Sequence, residues 1–277
     1  MDRRRFLKGL GIGTAGVVGV AAPAGAYTVG QQRGASTIVG DYAQSVNAGQ
    51  RRGAVTVWWS VDTDSKVLAL TFDDGPTSQF TPSVLRVLGQ YHVPASFFLI
   101  GELVQRRPDD VRRMLEEGHE VANHTFDHYS ATRQSPAETL STIERGADVI
   151  AAISGTRPRW FRPVRGHVTG ALVDAATEVG HDIAMWSVSR DPGIGTAADD
   201  VDGVRTNYIE GIHDGGIVIF HDGIGRSAFE FSGPDEQLLT QRRAELAALP
   251  DVIERYLADG YEFLGISDLI DRHAPNH

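Results

Sequence analysis

The chain has 277 residues, 41% hydrophobic and 22% charged, with a formal net charge of -10 and no cysteine. That length suits one large α/β domain or two small ones around an ordinary core. The acidity argues against a nucleic-acid surface, and the absence of cysteine excludes disulfides, thiolate metal sites, cysteine nucleophiles and a lipid-modified cysteine.

At the start, Asp2-Arg3-Arg4-Arg5-Phe6-Leu7-Lys8 precedes a Gly/Ala-rich apolar run and then Ala24-Gly25-Ala26. A paired arginine, a weakly apolar stretch and a small-x-small site form the pattern of a twin-arginine export signal over residues 1–26. The alternative is a short membrane anchor, although the run falls short of the ~20 apolar residues that a span needs. Residues 1–26 hold four basic residues and one acid, so the remainder carries 22 basic and 35 acidic residues, a formal charge of -13. The expected destination is outside the cell or in its wall, by way of the twin-arginine machinery, a route that carries folded proteins. Residues 27–60 show little periodicity and read as a linker with one short element, WWSV, before a single domain over 61–277.

From Val67 onward, short apolar runs alternate with amphipathic ones. Strands are expected at 67–72, 95–100, 119–122, 159–161, 183–188, 217–220 and 261–264. Helices are expected at 81–91, 109–118, 136–153, 169–180, 199–212 and 243–260, where apolar residues recur every three or four positions. Strand–helix alternation predicts an α/β fold with a parallel sheet, closed or open. In such folds, chemistry gathers at the C-terminal ends of the strands.

Five of those ends carry acids, histidines or arginines: Asp73-Asp74, Asn123 to His128, Arg162-Pro163, Arg190-Asp191 and His221-Asp222. Two adjacent acids repel each other, and a nearby cation offsets that cost. One acid of the pair can bind a metal while the other stays free as a base, with Gly75-Pro76 turning the two apart. The competing reading is a helix-capping acid pair. The four-residue spacing of His124 and His128 puts both rings on one face of a helical turn, where neutral imidazoles bind a divalent ion and a carboxylate completes the set.

In this order, TFDDGP (71–76), HTFDH (124–128), FRP (161–163), WSVSRD (186–191) and IVIFHDG (217–223) resemble the polysaccharide deacetylases of the NodB-homology class, carbohydrate esterase family four. The resemblance covers about residues 66 to 270. It implies a distorted (β/α)7-type barrel that removes acetyl groups from N-acetylated sugars. It implies Asp73 as the catalytic base and Asp74, His124 and His128 as ligands of a divalent metal, with zinc first and cobalt or nickel as alternatives. Thr125 would brace the loop, Arg162 would hold Asp73, and His221 would be the general acid. Ile219 would line the acetyl-methyl pocket, Trp186 would contact substrate, and the backbone N–H of Arg165 would serve the oxyanion.

Two motifs depart from the family pattern. Val164-Arg165 stands where Pro-Tyr is usual, and the guanidinium at that place would favour an anionic glycan. The fourth motif is one residue shorter and keeps a single acid, Asp191, either to orient His221 or to leave it without a partner. The implied substrate is peptidoglycan or a chitin-like glycan, with xylan O-acetyl esterase and a glycan-binding pseudoenzyme as alternatives.

Overall fold

The computed structural model describes residues 27–32, 35–42, 51–191, 196–225 and 234–274. The expected export signal lies outside the described residues. Among those described, no helix is long and apolar enough to cross a membrane. In chain order the elements are β1 (Tyr27–Gln32), β2 (Ala35–Tyr42), β3 (Arg51–Trp58), β4 (Val67–Gly75), α1 (Thr81–Tyr91), β5 (Ser96–Leu99), α2 (Gly101–Arg106), α3 (Pro108–Glu116), β6 (Glu120–Asn123), α4 (Pro136–Ser154), β7 (Trp160–Phe161), α5 (Gly170–Val179), β8 (Asp182–Ala184), α6 (Val201–Gly211), β9 (Gly216–His221), α7 (Pro234–Ala258), β10 (Glu262–Leu264) and α8 (Ile266–His273).

Strand β4 is the axis of the molecule. It pairs in parallel with β9 from Leu68↔Gly216 to Asp73↔His221. Its other edge meets β5 near its C-terminal end and β10 near its N-terminal end. The sheet continues in parallel through β6, β7 and β8. It closes where Val188, beyond β8, bridges Val218 of β9 and accepts the Ile219 N–H at 2.9 Å. A mostly parallel, irregular barrel results, with helices outside it, as the α/β reading predicts.

The period of two along β4 sorts its side chains. Leu68, Leu70 and Phe72 face outward into a core shared with Val84, Leu85 and Leu88 of α1 and Leu249, Val252 and Ile253 of α7. Val67 and Ala69 face the lumen with Phe98, Ala122, Trp160, Ala184 and Ile217. Small residues on three of these strands leave room in the lumen for Phe98, Trp160 and a buried arginine, Arg162. Local chemistry sets several helix ends. Ser135 and Glu138 form a reciprocal capping box on α4, Thr169 and Asp200 cap α5 and α6, and Gly155 and Gly180 end α4 and α5 in left-handed conformations.

The structure corrects the sequence reading in several places. Residues 27–58, expected as a linker, carry β1 to β3, and β3 joins the barrel sheet through Val57↔Ile183 and Trp58↔Ala184. The signal was the short alternation of buried Val55 and Val57 around half-buried Thr56, too brief to register beside the glycines upstream. Helices α2 and α8 were missed. The second is amphipathic over only eight residues, burying Ile266, Leu269 and Ile270. Helix α7 begins at Pro234 rather than 243, which puts Arg242 and Glu245 on one helical face. His119 and His181, which belong to none of the strand-end motifs, are buried.

Candidate active site

In a regular strand, neighbouring side chains point to opposite faces. Asp73 pairs with Phe98 and Gly75 with Leu99, so Asp74 is an extra residue in the β4–β5 ladder. Its φ of 76° is left-handed, a conformation uncommon outside glycine. This bulge, rather than the expected Gly75-Pro76 turn, re-aims the acids so that both reach one buried place. His124 Nε2 lies 3.6 Å from Asp74 Oδ1 and 3.8 Å from Asp73 Oδ2. Gly75 is required because a Cβ there would fall 2.2 Å from Asp222 Oδ2. Asp222 ties β9 to β4: its N–H donates to the Asp73 carbonyl at 3.0 Å, and its carboxylate accepts from Thr81. Burial pushes the Asp222 carboxyl up to about 7, the Thr81 hydroxyl opposing and the charges of Asp74 and Asp73 adding.

His124 and His128 meet with ring centroids 5.1 Å apart, yet not on a helix. The segment is a loop with left-handed Thr125 and His128, at φ 70° and 57°. Asn123 Oδ1 accepts from the Thr125 N–H at 3.0 Å, and Thr125 Oγ1 accepts from the His128 N–H at 3.0 Å. These side-chain acceptors compete with helical hydrogen bonds and fold the loop back. Thr125 thus braces the pair, and α4 supports it, since the Phe126 N–H donates to the Thr142 carbonyl at 2.9 Å. His124 Nδ1 is 2.8 Å from the Arg162 carbonyl. That acceptor fixes the proton on Nδ1 and leaves the Nε2 lone pair free toward Asp74.

Arg162 is fully buried. It donates to Asp73 Oδ1 at 2.6 Å, to Thr71 Oγ1 at 2.9 Å and to the carbonyls of Ala184 and Met185 at 2.8 and 2.9 Å. Its guanidinium carbon lies 3.9 Å from the centre of the Phe98 ring. Planar donors and a ring face are what arginine satisfies and lysine does not. Arg165 is exposed, in a tight turn at φ 59°. Trp186 is half-buried beside it: a Cβ on Gly166 would come within 3.0 Å of the indole. Ile219 is buried on the lumen-side face of β9, alternating with outward-facing Val218 and Phe220.

His221 stands opposite Asp73 in the β4–β9 register. Its partner is a residue that the sequence reading missed. His221 Nδ1 is 3.0 Å from Glu245 Oε2 of α7, and Glu245 is buried. Arg242 donates to Glu245 Oε1 at 3.0 Å and lies 3.5 Å from Asp74 Oδ2, while Arg190 Nη1 is 3.7 Å from Glu245 Oε1. Asp191, expected to orient His221, is exposed and lines a surface depression with Trp186, Ser189 and Glu210. The reason is alternation. Once Val188 is locked onto β9, Val188 and Arg190 turn toward the buried layer beneath α6 and α7, and Ser189 and Asp191 face away. No local signal marked Glu245, which lies 24 residues beyond His221. Only the docking of α7 against β9 shows it.

Asp74, His124 and His128 are the group of metal-ligating side chains that converges among the described residues, their ligand atoms all within 4.8 Å of one another. His128 Nε2 is 3.0 Å from Asp74 Oδ1. Burial by itself would raise the Asp74 carboxyl, but His128 and His124 hold it well below the usual range. One anionic oxygen and two imidazole nitrogens, one with its tautomer fixed, fit a divalent ion such as zinc.

A family profile for polysaccharide deacetylases matches residues 60–184. A peptidoglycan-N-acetylglucosamine deacetylase of Bacillus cereus is 34% identical over 214 residues, covering 77% of this chain and 92% of the relative. A chitooligosaccharide deacetylase of Bradyrhizobium is 41% identical over 156 residues, covering 56% of this chain and 69% of the relative. The solved structure of peptidoglycan deacetylase PdaC from Bacillus subtilis superposes with a TM-score of 0.62 at 31% identity, over 76% of this chain and 93% of that one. With the strand-end constellation assembled on a barrel of the same fold, the chain belongs to the polysaccharide deacetylase family.

Proposed function

We propose that this protein is an exported, divalent-metal-dependent N-deacetylase that releases acetate from N-acetylglucosamine units of peptidoglycan or chitin-like glycans. The observation that carries it is the meeting, at one end of the barrel, of the Asp74–His124–His128 set, the Asp73–Arg162 pair and His221. The names of the relatives support the substrate class.

Asp74, His124 and His128 would hold the ion, which when bound supplies a Lewis acid for the acetamide carbonyl and acidifies water. Asp73 accepts the proton of the attacking water at Oδ2, because Arg162 occupies Oδ1. The Arg165 backbone N–H steadies the oxyanion. His221 delivers a proton from Nε2 to the leaving amine, its Nδ1 being engaged by Glu245. Ile219 forms an apolar wall for the acetyl methyl, and Trp186 offers a ring to the sugar. Arg165 biases the cleft toward glycans that carry carboxylates.

The test is acetate release by the purified protein, stripped of metal and resupplied with zinc, cobalt or nickel, on peptidoglycan, chitin oligomers and acetylxylan in parallel. Metal-restored release from the first or second is expected. Release from acetylxylan alone would make the protein an O-acetyl esterase, and silence on all three with metal bound would point to a binding role. Export through the twin-arginine route rests on Arg3-Arg4 and the Ala24-Gly25-Ala26 site. Fractionation of producing cells that found the protein only in the cytoplasm would remove it.

A further inference from the structure

Glu245 is 1% exposed, and a buried carboxylate is uncommon unless something holds it there. Three groups pair with its carboxylate: His221 from β9 at 3.0 Å, Arg242 from its own helix at 3.0 Å, and Arg190 from the segment after β8 at 3.7 Å, while the buried Tyr208 phenol of α6 stays neutral, raised by burial and by the Glu245 charge. Arg242 also donates through Nε to the Gly223 carbonyl at 2.8 Å and reaches Asp74 at 3.5 Å. So α7 is clamped both to the loop after β9 and to the acid pair on β4. The segment after β8, where the family resemblance implied an acid, turns Arg190 inward and Asp191 outward. The carboxylate that meets the His221 ring arrives instead from α7.

We propose that Glu245 is the positioning residue of this enzyme's general acid. It fixes the His221 ring by accepting from Nδ1–H, keeps Nε2 turned toward the substrate, and stabilises the imidazolium, while Arg242 and Arg190 hold the carboxylate in place. This rests on the reading of His221 as proton donor. The geometry favours the role over a plain helix brace. A brace needs only the arginines, yet one Glu245 oxygen serves them and the other is given to the imidazole. Burial would raise the Glu245 carboxyl; His221 first, then Arg242 and Arg190, keep it below its usual range, so the acceptor is anionic at neutral pH. The other charges near His221 are Asp73 and Asp74 on β4 and the adjoining Asp222. They are present whatever stands at 245, so a change at 245 reports on Glu245 itself.

The first measurement needs no variant. Long-range proton–nitrogen NMR of the His221 ring in the intact, metal-free protein should show the Nδ1–H tautomer in the neutral form. An Nε2–H tautomer would overturn the proposal, whether or not the protein deacetylates anything. Glu245→Gln keeps shape and acceptor and removes charge. It should lower kcat roughly 10- to 100-fold with KM nearly unchanged, and move the basic limb of the pH–rate profile to lower pH. Glu245→Ala should regain activity with added formate, which a lost helix brace would not do. Variants that stay folded, with parental kcat and a parental pH–rate profile, would overturn the assignment. If Glu245→Gln fails to fold, the tautomer in the intact protein still decides.

Discussion

The two halves of the site are built differently. On the β4, β6 and β7 side, the site residues follow strand ends and the histidine loop braces itself, Asn123 on Thr125 and Thr125 on His128, while Arg162 reaches Asp73 from 89 residues away. On the β9 side, His221 is aimed by a helix 24 residues further on, held by arginines from α7 and from the segment after β8. Residues that follow strand ends closely in sequence are legible as motifs. The histidine's partner comes from α7, so no motif beside His221 marks it.

That contrast can be broken first at its local half. Asp74→Ala removes the anionic ligand and should abolish metal retention and lower acetate release by about 10³-fold or more, since the ion's contribution is several kcal/mol. Metal content by mass spectrometry beside the rate checks it. Retained metal with normal turnover would remove Asp74 from the ligand set.

Next in size is the brace behind Asp73. Arg162→Met leaves a buried carboxylate with neither counter-charge nor its best donor, a loss of about 3–5 kcal/mol. Urea unfolding measures it. Arg159→Met, which breaks exposed pairs with Asp182 and Asp271, should cost under ~1 kcal/mol. Adding Asp73→Asn to Arg162→Met should return part of the loss, because the uncompensated charge is gone. Equal costs at the two arginines would contradict the burial account.

A smaller effect sharpens the same contrast, in a layer behind the histidine loop. His181 is buried against Phe161, and its Nε2 lies 3.0 Å from Asn123 Nδ2, whose other end holds Thr125. Burial lowers the ring's pKa from 6.5 to about 4. The folded state therefore disfavours the proton that the unfolded chain takes up. Stability from this group is complete above pH 6.5 and falls as pH drops toward 4, by ~3 kcal/mol in all. Melting curves across that window should show the slope in the parent and a flatter one in His181→Gln, which keeps an acceptor and cannot titrate. Identical slopes would assign the acid sensitivity to other groups.

Much of the catalytic half could be read from the chain because strand ends in a parallel barrel converge whatever the loops do. Asp73, Asp74, His124, His128, Arg162 and His221 announce themselves by following apolar runs. The errors came from reading local spacing as local structure. His124 and His128 were placed on a helical turn, but Asn123 and Thr125 offer acceptors that pull the loop away from helical bonding. The shortened fourth motif offers Asp191 to orient His221 or leaves His221 without a partner, and the structure turns Asp191 outward and supplies Glu245.

What the sequence determined by itself was the alternation of strands and helices, the residues that follow the strands and, through them, the chemistry. These depend on hydrophobic period and residue type, which are properties of short windows. Only the tertiary structure decided which side chains face each other. The bulge that unites Asp73 and Asp74, the bridge at Val188 that closes the barrel, and the docking of α7 that brings Glu245 and Arg242 to His221 all depend on contacts between segments far apart in the chain. A window of sequence holds only one side of such a contact.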